Sequence, residues 1–508
     1  MARVLGLDLS TQGITLLVVD TETASVVCRT RVGFGTDFPD RGHPDGFIPG
    51  GVGGEVHADP LLWVDALQLA LDRLAESVNP SSIAAVAVSG QQHGSVYLDA
   101  TWQAGLRADP SRRSWSDAVR PHLTRPTSPI WMDGSTAEDC TRISRALGGD
   151  LAVASLTGSI PTPRFTGPQI SRFARLQPDA WARTGRIHLV SSFITSLLAG
   201  TDAPVDTGDG AGMNLMDLDR GVWSPEALAA TAPDLARKLP RVALANEIVG
   251  PAARWLVMRH GFSPGCHVVV GSGDNPSSLV GMGASRPGRV VVSLGTSDTL
   301  FAAIAGVRTD PAGLGHAFGN PMGGAMSLVC VRNGSLAREA VRRELGLSDW
   351  DAFAHAMRSA APARSVVLPL EQDEITPRRA AGRVAVGAPV VGVALALAAV
   401  EGQALNLRLH SRWISTRAES LLLTGGASEN DAIAQVFADV FQAPVSRLKV
   451  SDSAALGAAL RAAVAGFNLP LARLEASLCA PDPGVISPRS GLAPAYAALE
   501  AQLSAAFA

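Results

Sequence analysis

Five polar stretches in this 508-residue chain carry side chains able to bind or transfer a charged group, and each follows an apolar, β-favouring run. Asp8-Leu9-Ser10-Thr11-Gln12-Gly13 lies where residues 4–9 turn back into 14–19. Ser89-Gly90-Gln91-Gln92-His93-Gly94 follows 83–88, and Gly271-Ser272-Gly273-Asp274-Asn275-Pro276 follows 267–270. Gly295-Thr296-Ser297-Asp298 turns between two further apolar runs, and Gly425-Gly426-Ala427-Ser428 joins a strand-like 419–424 to a helix starting around Asn430. A carboxylate beside the helix start that Asn275-Pro276 predicts is kept ionised by the helix dipole, so Asp274 is a base or a helix cap. His93 is a ligand-facing imidazole or an internally satisfied one. Polar turns offer backbone N–H groups and hydroxyls to phosphates. Paired glycines let a backbone approach a flat ligand or a phosphate, or simply complete a strand-to-helix turn.

These loops need elements to hold them. Strand-like and helical patterns alternate along the chain, which predicts an α/β fold with its polar loops at strand ends, where such sheets collect ligands. Asp8-Leu9-Ser10-Thr11 overlays Ser293-Leu294-Gly295-Thr296, a repeat that suggests two similar halves, each opening a polar turn toward a shared cleft. Ile248-Val249-Gly250-Pro251 suggests a division into 1–250 and 251–508. Asp59-Pro60 predicts a capped helix running through Leu74, and Ser135 with Glu138 predicts a capping box. Ile433, Val436, Phe437, Val440 and Phe441 fall on one helical face. Residues 360–379, rich in Pro, Arg and acids, read as a solvated surface loop. Residues 384–400 are uncharged but too short for a bilayer, and read as a strand or loop entering a buried helix.

Composition excludes several chemistries. The 43 basic residues nearly balance the 46 acidic ones for a net charge of −3, without a basic tract, so no nucleic-acid partner is expected. Only Lys238 and Lys449 are lysines, and neither sits in a P-loop or on a kinase strand. The five cysteines include no CxxC, the histidines no HExxH, and no GxGxxG opens a helix. No charged-then-apolar leader precedes Val4, so a cytoplasmic protein without membrane contact is expected.

Taken together, PIWMDGSTAEDC, SLTGSIPTPRFTGPQI, GAGMNL, GSGDNPSSLVGM, VVSLGTSDTLFA, NGSLARE and TGGASEN resemble the FGGY carbohydrate kinases, over residues 3–466. Within that family the pattern is closest to animal-type xylulose kinases. Gln92 stands where many bacterial members have Met, and Ser135 where many have Arg. The resemblance implies two actin-like (ribonuclease H-like) α/β ATPase domains around a deep cleft, the first holding mainly sugar and the second mainly ATP. It implies a monomer or homodimer that phosphorylates D-xylulose to D-xylulose 5-phosphate with ATP and Mg²⁺. Carried over by position, His93, Arg164, Asp274 and Asn275 would contact the sugar, with Asp274 the general base. Asp8 would face Mg²⁺, and Thr11 and Thr296 the phosphates. Trp350, Gly425, Gly426 and Asn430 would lie against the adenosine.

Overall fold

The computed structural model describes residues 3–107, 114–414, 417–448 and 452–507. The chain forms two compact units. One comprises Met1–Gly283, Phe318–Gly324 and Val450–Cys479; the other comprises Ala284–Ala317, Ala325–Lys449 and Ala480–Ala508.

A seven-stranded sheet organises the first unit. β1 (Arg3–Leu9), β2 (Gly13–Asp20) and β3 (Ser25–Gly33) form an antiparallel meander, and β4 (Ile83–Gly90) lies parallel to β1 on its other side. β5 (Ile248–Pro251) and β6 (His267–Val269) extend the sheet beyond β4, while β7 (Ser272–Gly273) pairs in parallel with the end of β4. Ile248–Pro251, where the sequence suggested a division, is therefore a paired strand of this sheet.

Alternation along β1 sorts its side chains onto two faces. Leu5, Leu7 and Leu9 bury with the apolar face of α1 (Pro60–Ser77), whose first turn is capped by the Asp59 carboxylate accepting the Leu61 N–H. Val4 buries on the other face with the alanines of the helix Ser453–Phe467. Period two puts Asp8 on that second face, at the strand's end. The same helix seats α2 (Asp274–Gly281) at backbone distance: a Cβ on Gly281 would stand 1.9 Å from the Ser453 carbonyl oxygen, and one on Gly457 1.8 Å from that of Ser277. Only glycine permits this approach.

Five of the six strands of the second unit's sheet repeat the plan. β8 (Arg289–Leu294) and β9 (Asp298–Ile304) form the hairpin. β10 (Ala325–Val331) flanks β9 antiparallel, and β11 (Ser420–Thr424) and β12 (Val445–Arg447) follow in parallel beyond β8. The order β10-β9-β8-β11-β12 reproduces β3-β2-β1-β4-β6, so the similarity of two short hairpins marks a repeat of whole sheets. The helices of this unit include α3 (Ser335–Glu344), α4 (Trp350–Ser359), α5 (Ala394–His410) and α6 (Asp431–Phe441).

Two local expectations are corrected. The helix Ala137–Ala146 has no capping box, because Ser135 gives both its backbone N–H and its hydroxyl to Asp133. Residues 360–379 are not a solvated loop. Ser365–Leu370 pairs with Gly382–Gly387, Val366 to Leu368 and Leu370 are buried, and Glu374 is 5% exposed. The apolar run Val366-Val367-Leu368, set between charged flanks, was the overlooked signal. Among the described residues no helix is long and apolar enough to cross a membrane.

Candidate active site

In the first unit, three parallel strand ends bring carboxylates together. Asp8 on β1 lies opposite Ser89 on β4, and Ser272 on β7 pairs with Ser89 from the other side. The Ser89 hydroxyl donates to Asp8 at 2.8 Å. Burial and the nearby Asp274 charge push the Asp8 carboxyl up to about 7.

Asp274 follows Gly273, which pairs with Gly90, and so meets the loop after β4. Its Oδ1 accepts backbone N–H groups from Asn275 at 2.8 Å and Gln92 at 3.4 Å. Burial nonetheless pushes its carboxyl up to about 6. The Asn275 amide donates to Gln92 Oε1 at 2.8 Å and to Asp274 Oδ1 at 3.1 Å, tying the two loops together. His93 adopts φ 70° in this turn and is buried. The ring stacks on Phe165 with centroids 4.4 Å apart, and its Nδ1–H donates to the Gly212 carbonyl at 3.0 Å, which fixes the tautomer. Arg164, half-buried, directly precedes Phe165 and follows Pro163, whose carbonyl accepts from Thr136 and Gln169. Thr11 receives the Trp131 indole N–H at 2.9 Å. Asp8, Asp274, Asn275 and the Gln92-His93 loop thus share one end of one sheet.

Sequence reasoning missed the layer beneath them. Asp206 and Asp209 are fully enclosed. Asp206 accepts from the N–H groups of Gly208 and Asp209 and from Ser272, and Asp209 accepts from Ser191. Burial raises both carboxyls, Asp209 well above the usual range, with Asp206 and Asp274 adding repulsion. Arg461 supplies the opposing charge while donating to the carbonyls of Ala245, Val270 and Val88, and burial pulls it down to about 10. Asp133 was also missed. It accepts from Val56, Ser135 and Gln169 and faces His57, and these donors hold it well below the usual carboxylate range against the cost of burial. The only sequence signal for the first pair was two acids within the small-residue run Asp206–Gly212.

In the second unit a cavity of about 580 Å³ is lined by Gly295, Thr296, Trp350, Gly426 and Asn430, among others. The two glycines differ. Gly425 has φ 87°, and a Cβ there would stand 2.5 Å from the Leu294 carbonyl oxygen, whereas a Cβ on Gly426 would meet nothing within 4 Å. Gly425 fits the turn against β8; Gly426 leaves space in the cavity. Asn430 caps α6, accepting from Ala432 and Ile433, and its amide donates to the Trp350 carbonyl at 3.5 Å. Trp350 is 41% exposed, edge-on to Phe353, with the Arg342 guanidinium 5.7 Å over its ring. The cavity therefore offers a flat aromatic wall, a glycine floor and a polar turn, dimensions and chemistry suited to a nucleotide.

Comparison with known proteins identifies the family of the chain. Family models of the N-terminal and C-terminal domains of the FGGY family of carbohydrate kinases match residues 125–281 and 290–466. A xylulose kinase of Rattus norvegicus is 39% identical, covering 98% of this chain and 96% of its own length. Xylulose kinase 2 of Arabidopsis thaliana is 36% identical, with 90% and 86% covered. The crystal structure of a "xyloylose kinase" from Brucella ovis superimposes with a TM-score of 0.80 at 25% identity, over 99% of this chain and 98% of that one. Matched in both halves and along nearly its whole length, the chain belongs to the FGGY family of carbohydrate kinases.

Proposed function

We propose that this carbohydrate kinase transfers the γ-phosphoryl group of ATP to D-xylulose, giving D-xylulose 5-phosphate, with Asp274 as general base. The observation that carries the reading is the Asp274 carboxylate, half-buried at the ends of parallel strands and pushed up to about 6 while still receiving two backbone N–H groups. The names of the rat and Arabidopsis relatives support the choice of sugar.

Asp274 would orient the attacking hydroxyl and take its proton as the new oxygen–phosphorus bond forms, a role for which a group ionised at neutral pH but not strongly acidic is suited. His93, Arg164 and Asn275 would hold the sugar around it. Asn275 also holds Asp274 itself. Asp8 would bind Mg²⁺: the Asp8 and Asp274 carboxylates repel one another, and a hard divalent cation fits that oxygen set. Mg²⁺ supplies charge neutralisation on the phosphates. Thr11 and the turn at Thr296 would bind phosphate oxygens through hydroxyl and backbone N–H groups, without lysine. Trp350 and Gly426 would enclose the adenosine, with Gly425 shaping the turn and Asn430 fixing Trp350. The proposal extends to a cytoplasmic enzyme, as a monomer or homodimer.

The test is coupled ADP release across D-xylulose, L-xylulose, D-ribulose, L-ribulose, D-arabitol, xylitol and glycerol. D-xylulose is expected to have the highest kcat/KM. A higher value for any other sugar overturns the substrate and leaves the kinase.

A further inference from the structure

Asp298 belongs to the polar turn Gly295–Asp298, yet it does not face outward with the rest. Its side chain is fully buried against Arg338 of α3, itself fully buried, in a bidentate pair at 2.6 and 2.9 Å. The Asp298 carboxylate also accepts the Gly295 N–H, closing the turn from within. Arg338 Nη1 donates again, at 3.0 Å, to Gln403 Oε1 on α5. Gln403 then donates to the carbonyls of Asn333 and Gly334 at 2.8 and 3.1 Å. The loop so held returns two bonds to the turn: Gly334 N–H to the Thr296 carbonyl at 3.1 Å, and Ser335 N–H to the Gly295 carbonyl at 2.8 Å.

The orientation of the turn is then set by peptide planarity. In a trans peptide the C=O and the next residue's N–H point in opposite directions. Drawing the Gly295 and Thr296 carbonyls onto Gly334 and Ser335 turns the N–H groups of Thr296 and Ser297 away from that loop, on the side where Thr296 is exposed. No Cβ fits at Gly334, which would stand 2.6 and 2.7 Å from the two carbonyl oxygens and 2.8 Å from Asp298 Oδ1. The other side of the loop is held too. Glu374, in the segment expected to be a solvated loop, accepts the N–H groups of Arg332 and Asn333 and the Asn333 amide at 2.7, 3.0 and 2.9 Å.

We propose that Arg338, through Asp298 and Gln403, is a positioning residue that sets the Gly295–Ser297 turn in its phosphate-binding orientation. Arg338 is among the residues that line the cavity, but its side chain is fully buried and its guanidinium is bound to Asp298 and Gln403, so it acts through the turn. The proposal rests on the reading that this turn binds phosphate.

The variants are Arg338→Lys, which cannot reproduce the two-pronged pair, and Gln403→Met, which conserves volume and leaves the ion pair in place. Thr296→Val tests the underlying reading by removing a hydroxyl from the turn. Calorimetry on the full-length enzyme measures ADP with Mg²⁺, adenosine, and D-xylulose, with circular dichroism and melting curves to establish folding. Misdirected N–H groups should weaken ADP about tenfold, the size of a lost hydrogen bond to a charged group. Adenosine, which has no phosphate, should stay within about twofold, and D-xylulose should be unchanged. Equal weakening of ADP and adenosine would make the pair ordinary scaffold and overturn the proposal. So would wild-type ADP affinity in folded Gln403→Met, or failure of both variants to fold. If Thr296→Val weakens ADP while the other two do not, positioning fails and the phosphate reading stands. If Thr296→Val has no effect, the phosphate reading of that side chain fails on its own.

Discussion

Replacing Asp274 by asparagine separates a general base from a helix cap, because asparagine caps a helix as well as aspartate does but cannot take up a proton. The carboxyl rises from an ordinary 3.8 to about 6. An acid raised on folding favours the folded state only while protonated; that contribution is complete below pH 3.8 and is lost as pH rises through about 6. At neutral pH the ionised group therefore costs at most about 3 kcal/mol, taking 1.36 kcal/mol for each pH unit of the rise. Asparagine keeps an oxygen to accept from Asn275 and Gln92 but carries no charge, so Asp274→Asn should melt at a higher temperature. It also removes the charge that helps hold Asp8 up. Activity should fall by about 10²-fold or more, within the usual 10²–10⁴ for general-base catalysis. In the wild type, kcat/KM for the sugar should fall as pH drops below about 7, to about one-tenth or less at pH 5, as the base is protonated. Asp8, pushed up to about 7 and proposed to hold Mg²⁺, protonates over the same range and starts and steepens that acid limb, while Asp209, which also faces Asp274, is enclosed. The assays are coupled ADP release across pH 5–8 and thermal melting. A folded variant with near-normal turnover would refute the assignment and leave Asp274 a structural group, and one that melts below the wild type would refute the cost assigned to its buried charge.

Other outcomes rest on the same geometry. Arg461→Met leaves Asp206 and Asp209 buried without their opposing charge and should lower stability by about 3–5 kcal/mol, read as a lower urea midpoint; an unchanged midpoint would deny the pairing. Asp133→Asn should destabilise by about 1–3 kcal/mol above pH 4. The gap should narrow in acid, since a depressed carboxyl loses its contribution as pH falls through its folded value. Trp350→Ala should raise the Kd for ATP about tenfold, the scale of one stacking contact, with sugar binding intact; equal loss of both ligands would count against a base-facing role. His93→Ala and Arg164→Ala should weaken D-xylulose more than ATP by calorimetry, and no difference would return both to the scaffold.

What the sequence made legible was whatever short-range pattern encodes. Alternation found β1 and its hairpin, the Asp59-Pro60 pair found the start of α1, and the spacing of Ile433, Val436 and Phe437 found the buried face of α6. The stretches holding Asp8, His93, Asp274 and Asn275 stood out because each polar run follows or ends an apolar, strand-like one, and the roles proposed for these residues come from the family resemblance. The supporting layer was not visible, because its partners are distant along the chain. Arg461 reaches Val88, and Arg338 reaches Asp298 and Gln403, from separate elements, so no local pattern marks either arginine as buried. Local reading even misassigned such groups. Glu374 looked solvated because its neighbours are charged, yet it is enclosed by the N–H groups of a loop some forty residues earlier. The distinction is physical. A side chain that meets ligand needs only a strand end to present it, and strand ends are written locally. A charge buried to hold that strand end in place must find its opposite wherever the folded chain delivers it. Strand-end loops therefore mark a candidate site, while the buried residues that hold those loops are found only by following each buried charge to the groups it binds.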